Sequence, residues 1–355
     1  PSKILDYLGP EQGQRHLTVL AQGPTLVKDL VNRYKMRDVI HGESWVLGAH
    51  TEAATEGLRK RVEYWCERDA DVEFLTGSVL QDILGTNRYG AGMKDNRALA
   101  INPYTYALGL AQAARQMGVS QYTDSPVLDF RRNGDAWIAQ TPAGQVTART
   151  LLVCTNAYSG TLSSSLRKAF VRIRGYNVVT EPLPDHVIAR ILPGTAVLTD
   201  TRHTWSGIKK LPGNRLHVAT GGSTLSDTRE PDTRSAVDRL RETYPEVAGV
   251  AWQSIASGWV AMTTDLLPQI GRLGDGAWTG YGYCGRGLAG ATLMGRELSR
   301  LVAEDTAHQP YVPVRDVRPL PFHVFGKYVV AAMVNWYRLA DKLALRGSKH
   351  QKQGE

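Results

Sequence analysis

The hydrophobic and polar positions along the chain change period several times, and each change marks a predicted element. Over 24–34, Leu26, Val27, Leu30, Val31 and Tyr34 recur at three- and four-residue intervals, which predicts a packing helix. Thr51 stands as an N-cap before a second helix whose Leu58, Val62 and Trp65 form one face. Asn102-Pro103 introduces a third, from about Tyr104 to Met117, rich in the small residues that allow close packing. The period then falls to two. Runs at 127–131, 136–140 and 145–148 alternate, are separated by Asn133-Gly134-Asp135 and Pro142-Ala143-Gly144, and predict a three-strand meander. Leu151-Leu152-Val153-Cys154 does not alternate. It reads as a strand buried on both faces of a parallel sheet and ends in Thr155-Asn156-Ala157, where ligands of such sheets gather.

From about 170 to 222 the pattern is one of long strands and turns, at 171–180, 195–198 and 215–220, with turn signals at Pro193-Gly194 and Pro212-Gly213-Asn214. This predicts an antiparallel sheet. A helix follows Pro231-Asp232 with Ala236, Val237, Leu240 and Tyr244 on one face, and a further strand reaches Trp259-Val260. Over 278–298 a short apolar strand runs through a glycine-dense turn into a helix beginning near Leu288. Gly285 and Gly287 let the backbone approach a ligand, and the helix start points unpaired N–H groups and a positive dipole end at that turn, so an electron-rich or anionic group would be held there.

The pattern GxGxxG occurs there twice, at Gly280/Gly282/Gly285 and Gly285/Gly287/Gly290, which shows how little it discriminates. A nucleotide-binding βαβ unit also needs a second strand and an acidic ribose ligand about 20 residues further on. The chain runs instead into a proline-rich stretch at 310–321, so this turn does not open a Rossmann unit. Its plain alternative is a strand–helix packing turn. A last helix, from about Tyr328 to Leu345, carries Val329, Val330, Met333, Trp336, Tyr337 and Ala340. Packing on the domain is the default for it, an oligomer contact or a membrane surface the alternatives.

With 42% hydrophobic and 21% charged residues over 355 positions, the chain has the composition of a globular protein with room for two domains. Its net charge of +8 is spread along the sequence, clustering only at 59–61 and after Lys342, which gives a mild preference for anionic partners. No zinc pattern, recognition helix or aromatic RNA-binding motif is present, so no nucleic-acid partner is expected. Cys66, Cys154 and Cys284 stand far apart and read as buried thiols in a reducing compartment. No apolar run approaches the roughly 20 residues of a transmembrane segment and no signal peptide is visible, which makes a cytoplasmic location the expectation. The chain begins at Pro1 without an initiator Met, which reads as processing or as a fragment of a longer protein.

The motifs, taken in order, resemble the D-amino-acid-oxidase-like family of FAD-dependent oxidoreductases, in the branch similar to gamma-glutamylputrescine oxidase. The matching stretches are Asn102-Pro103-Tyr104 with residues 106–111, Ser125-Pro126-Val127, Cys154-Thr155-Asn156-Ala157-Tyr158, Thr180-Glu181-Pro182-Leu183, Asp200-Thr201-Arg202 and Gly221-Gly222. They continue with Thr263-Thr264-Asp265, Leu267-Pro268-Gln269-Ile270-Gly271 and Gly282-Tyr283-Cys284-Gly285-Arg286-Gly287. The resemblance covers nearly the whole chain.

It implies an α/β (α+β) fold in which an incomplete Rossmann-like FAD-binding domain is interleaved with an antiparallel-sheet substrate domain. The substrate domain would take 1–100 and 165–262, the FAD domain 101–164 and 263–308, and 309–355 would be an extension with a helix. By the same resemblance Val127 matches the position whose backbone meets the adenine region. Thr155, Asn156 and Ala157 match the strand end near the dinucleotide. Gly285, Arg286, Gly287, Leu288 and Ala289 match the turn and helix start beside the pyrimidine edge of the isoalloxazine. A reduced flavin carries negative charge near N1 and O2, which a helix N-terminus stabilises.

Two departures accompany the resemblance. The family begins with a strand–GxGxxG–helix unit and an acidic ribose ligand, and residues 1–23 supply neither, so the chain reads as lacking the segment that holds the FAD pyrophosphate. Several charge-assisted contacts of about 1.5–3 kcal/mol each would go with it, enough to abolish useful affinity. After Asp200-Thr201-Arg202, related sequences commonly place Tyr-Phe-Arg, where this chain has Gly207-Ile208-Lys209. Where that Arg binds a substrate carboxylate, Lys keeps the charge and loses the bidentate fork, which points toward an amine, or a substrate with a distant carboxylate, rather than a simple α-amino acid.

The implied activity is hydride transfer from the C–H beside an amine nitrogen to FAD, giving an imine that water hydrolyses, with oxygen or a quinone as final electron acceptor. No acid–base side chain is strictly required if the amine binds neutral. Trp205, Lys209 and Trp259 are the candidate pocket residues, against the plain readings of core aromatics and a solvated strand lysine. His203 and His217 could titrate near neutrality, and neither is given a role. Cys284 reads as inert rather than as a covalent flavin anchor. Two other function classes stand beside the oxidoreductase: a non-catalytic binding protein that has lost FAD, and a nicotinamide enzyme using the 280–290 region.

Overall fold

The computed structural model describes residues 2–221, 233–247, 249–303 and 307–351; Gly222 and Pro231-Asp232, on which two sequence readings rested, lie outside them. Three helices come first, α1 (Ser2–Leu8), α2 (Pro10–Ala21) and α3 (Gly23–Arg33). Gly9, at φ 78°, separates α1 from α2, and both α2 and α3 carry Pro in the first turn, where no intrahelical N–H is needed. Next come β1 (Ile40–Gly48), α4 (Glu52–Cys66), β2 (Val72–Thr76), α5 (Gly77–Leu84), β3 (Ala91–Ile101) and α6 (Pro103–Gln116). Thr51 caps α4 as its position predicts, its hydroxyl accepting from Ala54 N at 3.3 Å.

The predicted meander is present as β4 (Asp129–Asn133), β5 (Ala136–Thr141) and β6 (Gly144–Ala148), followed by β7 (Leu151–Val153) and α7 (Ser164–Arg167). The strands expected at 171–180, 195–198 and 215–220 appear as β8 (Val171–Thr180), β9 (Val197–Asp200) and β11 (Arg215–Gly221), with α8 (Asp185–Ile188) between the first two and β10 (Ser206–Leu211), unmarked by the periodicity, between the last two. β9 pairs antiparallel with β10 but parallel with β1, so the sheet is mixed rather than purely antiparallel. After α9 (Arg234–Thr243) and β12 (Trp252–Met262), the chain closes with β13 (Gln269–Gly274), β14 (Ala277–Tyr281), α10 (Gly287–Val302), β15 (Val314–Asp316) and α11 (His323–Gln351).

These elements form two compact units. The first takes residues up to Arg37 with Pro103–Arg172 and Trp259–Lys327, the second Asp38–Asn102, Ile173–Gly258 and the chain from Tyr328 onward. Residues up to Arg37 thus group with the stretch around α10, where the resemblance had put them beside 38–100. Packing accounts for it: a Cβ on Gly23 would come within 2.9 Å of the Ala289 Cβ, and Val19, Leu20 and Leu26 pack on a cluster with Leu293, Met294 and Leu298. The absence of a side chain at Gly23 is what lets α3 lie this close to α10.

In the first unit a four-stranded sheet runs β15-β13-β14-β7. β14 pairs parallel with β7 (Thr279↔Val153) and antiparallel with β13, and β13 pairs parallel with β15. The helix after the glycine turn therefore leads to a strand antiparallel to β14, so the turn opens no βαβ unit, as expected. One expectation is corrected. β7 lies at the sheet edge in this order, and Leu152 is 40% exposed, so the strand is not buried on both faces. The cysteines differ as well: all three are free, but Cys66, at the end of α4, and Cys154, just past β7, are exposed, and only Cys284 is partly buried. Both exposed thiols stand at the ends of elements, where the chain turns to solvent.

An eight-stranded sheet, largely in the second unit, runs β12-β8-β11-β10-β9-β1-β3-β2. Val46, Val178, Leu198, Ile208 and Val218 line one face and pack with Ala236, Leu240 and Tyr244 of the α9 region, the main core of this unit. On the opposite face α4 covers one end, with Leu58 and Val62 against Leu47, Val72 and Met93. The register leaves Gly207, Lys209, His217 and Ala219 together on the remaining part of that face.

Candidate functional site

In the first unit two chain segments meet at the C-terminal ends of the parallel pair β7 and β14. The Thr279 hydroxyl, fully buried, donates to Val153 O at 2.7 Å and ties the strands together just before they end. Past β7, Asn156 adopts φ 45°, a left-handed conformation Asn tolerates, and its Oδ1 accepts from Gly282 N at 3.1 Å. Thr155 and Ser159 hydroxyls lie 2.9 Å apart, and Ser159 donates to Asn156 O at 2.7 Å, which fixes this bend. Ala157 is buried in a cluster with Val153, Phe170, Ala261 and Tyr281.

Past β14, Gly282, Cys284 and Gly285 all have positive φ, at 75°, 50° and 85°. Cys284 N donates to Ala261 O at 3.3 Å, its thiol donates to Gly282 O at 3.1 Å, and the thiol lies 3.3 Å from the Thr263 hydroxyl. These bonds make Cys284 part of the turn's frame. Helix α10 starts at Gly287, with no side chain capping Arg286 at its N-cap and no acidic residue in its first turn. A Cβ placed on Gly285 or Gly287 would meet no atom within 4 Å. The backbone here therefore borders open space, and the first turn of α10 carries no acidic side chain to answer its dipole.

That combination fits the pyrimidine edge of a flavin: small residues where a planar ring would lie on the backbone, and a positive helix end where reduction places negative charge. Gly285, Arg286, Gly287, Leu288, Ala289, Thr155, Asn156 and Ala157 are brought to one corner of the unit by the β7–β14 pairing and the Asn156–Gly282 hydrogen bond. Val127 is not tied to it by any hydrogen bond among the described residues; it is exposed on the connection between α6 and β4.

Of the pocket candidates, Trp259 is half-buried in the first unit, packing on the cluster that holds Ala157 and Tyr281. Its backbone N donates to the Tyr158 hydroxyl at 2.9 Å and the Arg172 guanidinium stands 4.8 Å above its ring. Trp205 and Lys209 belong to the second unit. Trp205 is 43% exposed, so it is no core aromatic, and its indole nitrogen would stand 3.1 Å from a Cβ on Gly221. Lys209 is half-buried; its ammonium donates to Ile101 O at 3.3 Å, and burial lowers its pKa.

His217, to which no role was assigned above, stands directly across the β10–β11 ladder from Lys209. Its Nε2 lies 3.0 Å from Asn177 Oδ1 on β8. Burial, with the Lys209 charge added, pushes its pKa down to about 4, so it is neutral at pH 7 and does not titrate near neutrality as its type alone suggests. A polar residue between the core positions Leu216 and Val218 was the available signal for it. Asp200, quoted above only as part of a matching stretch, proves to be a buried hub: it accepts from the Tyr89 hydroxyl at 3.0 Å and pairs with Arg202 and Arg239. Burial, with the Asp200 charge beside it, pushes the Tyr89 pKa up to about 12.

Comparison with known proteins places the chain in a family. The family model described as FAD dependent oxidoreductase (DAO) matches residues 5–301. Gamma-glutamylputrescine oxidoreductase of Escherichia coli (strain K12) is 26% identical over 341 residues, covering 92% of this chain and 77% of that protein. Glycine oxidase of Bacillus subtilis (strain 168) is 30% identical over 222 residues, and the match spans 60% of this chain and 57% of the relative. Among solved structures, iminodiacetate oxidase from Chelativorans sp. BNC1 superposes with a TM-score of 0.71 at 15% identity, over 86% of this chain and 85% of that one, which shows a shared fold. On the extent of the family match, the chain belongs to the FAD dependent oxidoreductase family.

Proposed function

We propose that this protein oxidises the C–N bond of a small amine, or of an amino acid whose carboxylate lies away from the reacting carbon, with FAD as cofactor. The observation that carries the reading is the start of α10: an N-terminus with no side-chain cap and no first-turn acid, preceded by Gly285 and bordered by open space, in a chain of this family. When bound, FAD supplies the two-electron acceptor for the substrate's C–H hydride. The chain's own part is positioning and electrostatics. First-turn amides of α10 would stabilise negative charge on the ring, and the Asn156–Gly282 hydrogen bond holds the two sides of the corner in register.

On the second unit's sheet, Lys209 supplies one positive charge on an open face, and His217 stays neutral beside it. A single ammonium gives a point contact suited to a remote carboxylate, without the fork that clamps an α-carboxylate. The relative named gamma-glutamylputrescine oxidoreductase, matched over 92% of this chain, supports the amine reading. A panel of amines with and without a carboxylate, assayed with oxygen and with a quinone acceptor in wild type and Lys209→Met, tests the reading. Loss of one charge-assisted contact should raise KM for carboxylate-bearing amines by about ten-fold or more and leave plain diamines unchanged. No oxidation of any amine, or an equal effect on both groups, would overturn it.

A further inference from the structure

Helix α11 has two apolar faces, and only one is used. Val330, Val334, Tyr337 and Asp341 recur at 4-3-4 spacing and face the second unit. The Tyr337 ring stacks on His203 at 4.9 Å between centroids, and Asp341, buried, accepts from the Thr204 hydroxyl at 2.6 Å and from the Thr204 and His203 backbone N–H groups at 3.0 and 3.1 Å. Nearly half a turn round the helix, Val329, Ala332, Trp336, Leu339 and Leu343 recur at 3-4-3-4 spacing and are all exposed, Trp336 at 63%. The helix is 29 residues long, about 43 Å, so this second stripe is long as well as continuous.

Charge says what the stripe meets. Between 323 and 351 the sequence places Lys327, Arg338, Lys342, Arg346 and Lys349 against a single acid, Asp341, which is buried on the docked face. We propose that the exposed stripe of α11 lies on an anionic lipid surface, with its apolar side chains in the headgroup–acyl boundary and the helix's net positive charge drawing it to the headgroups. Trp336 and the aliphatic residues beside it suit that boundary, and an exclusively basic complement suits anionic lipid. A second copy of the chain is the competing occupant. It is disfavoured because pairing two copies would set two strongly basic helices side by side, each with a single acid that is already buried, where paired helices select partners by complementary charge. Among the described residues no helix is long and apolar enough to cross a membrane, so the contact is interfacial.

The test is co-sedimentation of the 355-residue chain with vesicles of phosphatidylcholine alone or mixed with phosphatidylglycerol, alongside a Trp336→Ser/Leu339→Ser double variant. Both positions are exposed, so the variant's melting temperature should match wild type. Binding to the anionic vesicles should exceed binding to the neutral ones by about ten-fold, weaken at high salt, and fall by a similar factor in the variant. Absence of binding to anionic vesicles, equal binding to neutral ones, or a variant that binds as wild type would overturn the proposal. So would a wild-type dimer that the two substitutions convert to monomer.

Discussion

His217 offers a perturbation whose size follows from the structure. Its pKa is about 4 in the fold against 6.5 for an unperturbed imidazole, the main cause being burial and the second the Lys209 charge across the ladder. A base with a depressed folded-state pKa takes up protons on unfolding between those two values, so stability rises with pH across that window and falls as the solution is acidified through it. At pH 5 the full shift corresponds to about 2 kcal/mol, which partial exposure of the ring reduces to about 1–2 kcal/mol. His16, buried on α2, and His50 have lowered pKa values as well, so the wild-type slope alone does not isolate His217. The difference between wild type and His217→Gln does. Urea unfolding at pH 7 and pH 5 should show the variant losing about 1–2 kcal/mol less than wild type on acidification. Identical losses in the two proteins would refute the assignment of a neutral, desolvated imidazole on this face.

Three further outcomes follow from the same structure. Replacing Asp200 by Asn leaves the Arg202 and Arg239 guanidiniums without their buried partner, and should cost about 3–5 kcal/mol in chemical denaturation. Asn156→Ala removes the hydrogen bond to Gly282 N and the Asn preference for a left-handed backbone; a loss of about 1–2 kcal/mol in stability with weaker FAD binding is expected, measured by melting and flavin titration. Cys284→Ser keeps a donor for Gly282 O and should leave any bound flavin extractable by denaturation to the same extent as in wild type, because the thiol serves the turn.

The features legible in the sequence were those with clean periodicity. α3, α4, α6 and the meander followed from apolar spacing and caps, and the strand–turn–helix at the end of β14 from its glycines. The strands β1 and β3 were not predicted, and their irregularity explains it. β1 contains Gly42 and has Ser44 at φ 80°, with register shifts against β3 that break the period-two alternation. β3 carries Lys94-Asp95-Asn96-Arg97 in its centre, stabilised by the local Arg97–Asp95 pair and by the Asn96–Glu73 bond, which only the fold brings about. Helices α1 and α2 were missed for another reason: α1 buries no residue, and those α2 buries, Gly13, His16 and Leu17, are too mixed to form an apolar stripe.

The candidate site was legible in part. The α10 start could be found because glycine freedom and helix polarity are local properties. The pairing of His217 with Lys209 depends on the β10–β11 register, and the Asp200 hub on residues 39 and 111 positions away, none of which local sequence reports. The burial expected for Cys66 and Cys154 failed on the same ground, since residue type sets a preference and position at an element's end decides exposure.

The most direct test of the account is equilibrium dialysis of FAD against the purified protein and a Gly287→Val variant, with melting curves of both. A Cβ at Gly287 meets no protein atom within 4 Å, and φ there is not in the left-handed region, so the substitution should change stability by only a few tenths of a kcal/mol. If the start of α10 is where the flavin ring meets the backbone, the added isopropyl group should weaken FAD binding by at least about ten-fold while the melting curve stays in place. Equal FAD affinity in the two proteins would contradict the placement of the cofactor on this turn.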